Sequence, residues 1–240
     1  MLEEELVCQR CGQPGTFYSW RNRTVVLCRA CIRHLESEQD NFVQKFLGIP
    51  KVEQGMKLIL DGLHEAFGLD VTDENFRDTP QRVARAYVEI FQGIKDTEVQ
   101  IAQILATSFP AKIGEMIIVK DIKAFSMCPH HFLPVEYKII VSYVSSGVVL
   151  GLSKLARLAE VLARRPVLQE QFTEDLADRL FQGVNASGVG VWVEGIHYCM
   201  RMRGARQAEA TTITSAIRGC FEKPEVREEF LNLTVHGRSV

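Results

Sequence analysis

The chain has 240 residues, 46% hydrophobic and 24% charged, with a net charge of −2. That is ordinary globular composition, enough for one large domain or one domain plus a small appendage. Charge this close to neutral argues against bulk nucleic acid or an anionic membrane surface as the main partner, and apolar runs such as Met116–Val119 are too short to span a bilayer. Met1–Leu6 holds three glutamates and no secretory apolar stretch. The seven cysteines are therefore expected in a reducing cytoplasm, where clustered thiols bind metal more often than they pair.

Four of those cysteines open the chain. Cys8-x2-Cys11, sixteen residues, then Cys28-x2-Cys31 is the spacing of a closed structural zinc site, two knuckles sharing one tetrahedral ion. Between the knuckles, Thr16–Trp20 and Thr24–Leu27 are aromatic and β-branched and predict a hairpin. Residues 1–35 read as a zinc-ribbon-like module with an unidentified partner, too small to hold together without such a staple. Residues 36–50 read as a polar linker ending in Gly48-Ile49-Pro50, and 51–240 as the main domain.

Within that domain Val52, Met56, Ile59, Leu60, Leu63 and Phe67 recur at helical spacing, with Gly68 as the stop. Asp78-Thr79-Pro80 opens a second helix with Thr79 as N-cap, and it runs to Phe91 before Gly93. Strands are predicted over 113–124 and 135–144. A helix capped by Ser153 should run to Arg164 before Pro166, and another covers 173–184. A strand over 188–194 and a helix over 225–233 complete the chain. Helices and strands mix without βαβ alternation, so the fold class expected is α+β.

Chemistry concentrates at two points. Cys128-Pro129-His130-His131 follows one predicted strand, and His197-Tyr198-Cys199 follows another. Two thiols and one imidazole would leave a fourth zinc position for water, the layout of a catalytic site, and each cluster keeps a histidine spare for proton transfer. Ser153, Lys154 and Arg157 surround a helix N-terminus, and Arg203 and Arg82 add guanidinium groups, chemistry suited to a polyphosphate. Gln169-Glu170 could grip the hydrogen-bonding edge of a guanine. Singly, each of these has a bland reading as a solvated charge or a cap; together they describe a guanine triphosphate and a metal.

At these residues the chain, from about 52 to 234, resembles GTP cyclohydrolase I. The resemblance is carried by Asp78–Ala84, Val119–His131, Gly151–Arg157, Arg165–Thr173, His197-Tyr-Cys199, Arg203-Gly204 and Thr212–Ser215. It implies Cys128, His131 and Cys199 as ligands of a catalytic zinc, and His130 and His197 as catalytic histidines. It implies Arg82, Ser153, Lys154, Arg157 and Arg203 on the triphosphate of GTP, with Gln169 and Glu170 on the guanine. The implied fold is the tunnelling fold, whose sheets join between subunits into a barrel. The implied assembly is a decamer of two pentamers with each active site shared between chains, so that Arg82 would act in trans. The implied product is 7,8-dihydroneopterin triphosphate, with formate released. Three departures stand out: Pro129 where the family usually has Glu, Tyr137 where it commonly has Gly and where crowding of a strand edge is expected, and the cysteine-rich leader.

Overall fold

The computed structural model describes residues 16–20, 23–27, 41–95, 97–111 and 114–236. Cys8, Cys11, Cys28 and Cys31 lie outside the described residues. The chain divides into two compact units, 1–88 and 89–240.

In the first unit the expected hairpin is present: β1 (Thr16–Trp20) pairs antiparallel with β2 (Arg23–Leu27). Helix α1 (Asn41–Phe67) begins well before the predicted start at Val52, so the stretch expected as a linker is helical from Asn41, with Pro50 inside the helix. Proline there removes one helical hydrogen bond, and the helix continues on both sides. Helix α2 (Thr79–Ile90) is where the sequence places it, but the Arg82 amide bonds to the Asp78 carbonyl at 2.9 Å, so Asp78 rather than Thr79 holds the cap position. Gln81 Nε2 donates to Glu53 Oε1 at 2.8 Å and ties α2 to α1.

The second unit is built on a four-stranded antiparallel sheet: β4 (Met116–Met127), β5 (Pro134–Val144), β7 (Gly188–His197) and β8 (Thr212–Gly219), in that order. Helix α3 (Thr97–Leu105) and the short pair β3 (Ser108–Pro110) and β6 (Val148–Leu150) were not expected from periodicity. Helix α4 (Leu152–Ala163) has Gly151 at its cap, not Ser153, and α5 (Gln169–Gly183) starts four residues before the predicted Thr173. Both helices cover one face of the sheet. Leu155, Leu158, Leu162, Phe172, Leu176 and Leu180 pack there against Val135, Ile139, Val141, Val189, Val191 and Val193. On the other face Ile140 meets Phe221 and Phe230, the latter on α7 (Pro224–Leu231).

One irregularity decides which side chains reach the helix side. Strand β4 carries an extra residue between Val119, paired with Val141, and Ile122, paired with Ile139, and Asp121 there has φ 59°. Because side chains alternate across a strand, this bulge switches the helix-facing set from odd to even positions. Ile117 and Val119 pack against the helix-side core before it, and Ile122, Ala124 and Cys128 after it.

Candidate active site

The site lies where β4, β5 and β7 end together. Cys128 leaves β4 and a five-residue turn returns the chain at Pro134: the Phe132 amide bonds to the Cys128 carbonyl and the Cys128 amide to the Leu133 carbonyl, both at 2.9 Å. Neither bond uses an N–H at position 129, so Pro129 is compatible with both. Val135 is in register with His197, the last residue of β7, and Cys199 follows in the single-turn helix α6 (Tyr198–Arg201). Tyr198 donates its hydroxyl to Glu136 Oε1 at 2.6 Å, fastening that turn to β5.

This geometry brings the ligand atoms of Cys128, His131 and Cys199 within 4.8 Å of one another. Cys128 is buried, Cys199 half-buried and His131 exposed. Burial and the neighbouring Cys128 push the Cys199 thiol up, while Arg203 pulls the other way. Two sulfurs confined together resist ionising unless a cation joins them. A soft thiolate pair plus imidazole is a donor set for zinc, and with three protein ligands a fourth position stays open. The residues therefore fit the metal that the sequence implies.

His197 is held by a buried glutamine. Its Nε2 lies 2.8 Å from Gln169 Oε1. The Gln169 amide nitrogen faces the Val193 carbonyl at 3.2 Å, the Thr212 carbonyl at 2.9 Å and the Thr214 hydroxyl at 3.1 Å, so its oxygen must be the end that faces His197. An amide oxygen only accepts, so His197 Nε2 carries a proton and Nδ1 presents the lone pair. The Thr173 hydroxyl donates to the Gln169 carbonyl at 2.7 Å and lies 2.7 Å from the Thr214 hydroxyl, closing the ring of bonds. Burial holds the His197 imidazole below its ordinary value, opposed by the Glu170 carboxylate.

Gln169 is 2% exposed and its side chain is spent on this network, while Glu170 beside it is exposed. The loop before α5 is pinned to the end of β4 by the Met127–Pro166 bridge and by Ser126, whose hydroxyl donates to the Arg165 carbonyl at 3.0 Å. Gly195 was not anticipated: a Cβ there would stand 2.0 Å from Gln169 Oε1. A lone glycine late in an apolar strand was the available signal, pointing to close approach by another group. His130 is exposed, its ring 6.3 Å from that of His131. Arg203 is exposed just beyond α6.

Three of the other phosphate-type residues are elsewhere in this unit. Ser153, Lys154 and Arg157 lie in the first turns of α4, and the Leu150 amide just before it donates to the Tyr143 hydroxyl at 3.0 Å. Tyr143 is eight residues along β5 from Val135, the partner of His197, roughly 26 Å at strand rise. Lys154 and Arg157 line a cavity of 340 Å³ with Gln100, Gln103 and Glu160, and none of the metal-ligand residues borders it. Arg82 belongs to the first unit, in the first turn of α2, where it pairs with Asp78 at 3.3 Å.

Fold and site together describe an α+β domain in which three side chains able to hold a metal converge, with a positioned histidine two residues before one of them. Residues 53–235 match the family GTP cyclohydrolase I. The GTP cyclohydrolase 1 of Desulforamulus reducens is 47% identical over 188 residues, covering 77% of this chain and 96% of that protein. That of Clostridium perfringens is 43% identical over 175 residues, covering 73% and 91%. Among solved structures, an archaeosine synthase QueF-Like in the apo form aligns with TM-score 0.36 and 20% identity, over 43% of this chain and 93% of that one. The chain belongs to the GTP cyclohydrolase I family.

Proposed function

We propose that this chain hydrolyses GTP to 7,8-dihydroneopterin triphosphate and formate, the entry step of tetrahydrofolate and pterin biosynthesis. The observation that carries it is the convergence of Cys128, His131 and Cys199 beside a histidine whose tautomer is fixed. Zinc bound to the triad would supply a Lewis acid that makes water nucleophilic near neutral pH. The protein's own residues do the rest. Glu170, exposed at the start of α5, holds the guanine edge, and Gln169 keeps its amide on His197. His197 takes up a proton at Nδ1 and delivers it to N7 as water adds to C8 and the imidazole ring opens. His130, exposed on the turn, exchanges protons with the attacking water.

The triphosphate anchors fall to Ser153, Lys154, Arg157, Arg203 and Arg82. Ser153, Lys154 and Arg157 stand too far along the sheet for one nucleotide to touch them and the metal end of the same chain. The reading that reconciles this is a homo-oligomer, a decamer of stacked pentamers with the tunnelling-fold barrel, in which α4 of one copy faces the metal end of another. Remote phosphate binding then orients C8 over the reacting groups. For the leader we propose a structural zinc held by Cys8, Cys11, Cys28 and Cys31, supported by their spacing. A cytoplasmic location suits so many reduced thiols, and among the described residues no helix is long and apolar enough to cross a membrane.

Purified protein incubated with GTP is expected to release one formate per GTP and to develop pterin fluorescence after oxidation. Chelation should stop both and zinc restore them. GTP binding without formate release would refute the assignment.

A further inference from the structure

Among the described residues four non-glycine positions have positive φ, and only one of them is aromatic: Phe132, at φ 54°. Aspartate and asparagine tolerate that region, but a bulky side chain stays there only where its surroundings hold it. Phe132 directly follows His131 and stands two residues before Pro134, the first residue of β5.

The strain sits where the chain reverses. The pairing of β4 with β5 is unbroken from Ile122 and Ile139 to Met127 and Pro134, so the reversal is confined to residues 128–133. Tyr137 lies inside that regular stretch, between Ala124 and Gly195, and crowds no strand edge, contrary to the sequence expectation. Pro129 enters the turn with φ fixed at about −65°, suited to the first position of a helical turn. The Phe132 amide closes that turn on the Cys128 carbonyl, and the left-handed step at Phe132 sends the Leu133 carbonyl back to the Cys128 amide. Across the turn Cys128 Sγ and His131 Nδ1 lie 3.8 Å apart. Both ends are tethered to paired strands. An ordinary φ at 132 could therefore be accommodated only by opening the bond that keeps His131 over Cys128.

The Phe132 ring packs on Phe91, centroids 5.5 Å apart and planes at 49°. Phe91 has a fixed seat of its own. In the short 3-10 turn that follows it (Gln92–Ile94), the Gly93 amide donates to the Arg164 carbonyl at 2.9 Å, and Gln92 Oε1 accepts from the Arg164 guanidinium at 3.2 Å. A Cβ at Gly93 would stand 2.3 Å from the Val161 carbonyl oxygen, so this turn lies hard against the end of α4. Arg165 and Pro166, next along the chain, are fastened to Ser126 and Met127 at the end of β4. A closed frame thus runs from Cys128 through α4 to Phe91 and returns to the same turn at Phe132.

We propose that Phe132 is a positioning residue of the metal centre: seated on Phe91, it holds the left-handed exit that keeps the His131 imidazole beside the Cys128 thiol. This rests on the reading of Cys128, His131 and Cys199 as the metal site. A phenyl ring cannot ligate zinc, so its action is on the backbone that carries His131.

The test compares Phe132→Ala, Phe132→Gly and Phe91→Ala in the full chain. Phe132 is 49% exposed, so removing its ring leaves no large internal cavity. Zinc affinity is measured by competition with a chelator, and ligand geometry by the visible absorption band of the cobalt-substituted protein. Phe132→Ala is expected to bind zinc about tenfold more weakly or worse and to alter the cobalt band. Glycine takes positive φ freely, so Phe132→Gly should recover part of that loss. Phe91→Ala leaves the turn's own sequence intact and should weaken zinc binding in the same way. The double variant with alanine at both positions should bind no worse than Phe132→Ala alone, because one contact is lost in either case. Parental zinc affinity and cobalt band in Phe132→Ala overturn the proposal. Losses that simply add in the double variant, or a glycine that binds no better than the alanine, overturn it too. So does a raised KM for GTP in Phe132→Ala with both metal readouts intact, which would give the ring to the substrate. Failure of the underlying reading looks different: the parent chain itself would show no cobalt band that disappears in Cys199→Ser.

Discussion

At one end of the four-stranded sheet, strand termini bring two thiols and an imidazole within 4.8 Å of one another, and an oriented histidine stands two residues before Cys199. At the other end, α4 presents Lys154 and Arg157 to a cavity that none of the three metal-ligand residues borders. The first end gathers its three potential ligands within one chain because several elements converge there under hydrogen bonds and a tight turn. The second offers cations apart from the metal ligands. Under the proposed function, reaction and anchoring are separate devices, and one substrate would use both only if two chains meet.

That contrast can be broken most severely at the bulge. Deleting Asp121 should return Cys128 to the opposite face of the sheet, and metal analysis of folded protein should find the triad empty and formate release abolished; a full equivalent of metal at the triad would show that the bulge does not set the phase. Cys199→Ser is expected to lose metal and turnover together, read by the same assays. His197→Ala should keep metal and GTP binding yet slow ring opening by about 10²–10⁴-fold, measured as single-turnover formate release; release at the parent rate would remove His197 from its role. Lys154→Ala and Arg157→Ala should each raise KM for GTP by roughly 10–100-fold, matching about 1.5–3 kcal/mol for a charged hydrogen bond, with metal content unchanged. Gly195→Ala sharpens the first end alone. Displacing Gln169 Oε1 should cost about tenfold in kcat, ~1.4 kcal/mol, and leave zinc affinity untouched; unaltered kcat would mean that His197 needs no orienting partner.

Much of the metal end was legible. Thiols and imidazoles after two predicted strands pointed to a three-ligand metal site, the family resemblance picked out Cys128, His131 and Cys199 from them, and the fold brings those ligand atoms within 4.8 Å of one another. What escaped was phase and support. The switch of apolar positions from Ile117 and Val119 to Ile122 and Ala124 is present in the sequence, but a single alternating strand absorbs it unless the partner register is known. Gln169 looked like a substrate group because its neighbour Glu170 does; only the fold reveals that its amide is consumed by Thr214, Thr212, Val193 and His197. Helix α1 was cut short at Pro50 because proline usually ends helices, whereas here the helix runs through it. The short β3–β6 pair has three residues on each side, too few for a period to show. The separation of Lys154 from Cys128 is likewise a property of topology, invisible to spacing along the chain.

Mixing two inactive chains probes the division of labour most directly. A Cys199→Ser chain keeps its α4 cations, and a Lys154→Ala, Arg157→Ala chain keeps its metal end. Unfolded and refolded together, the pair should recover a substantial fraction of parental formate release while neither does alone. Mixed oligomers that stay as inactive as their parents would mean that each chain binds and opens GTP with its own residues.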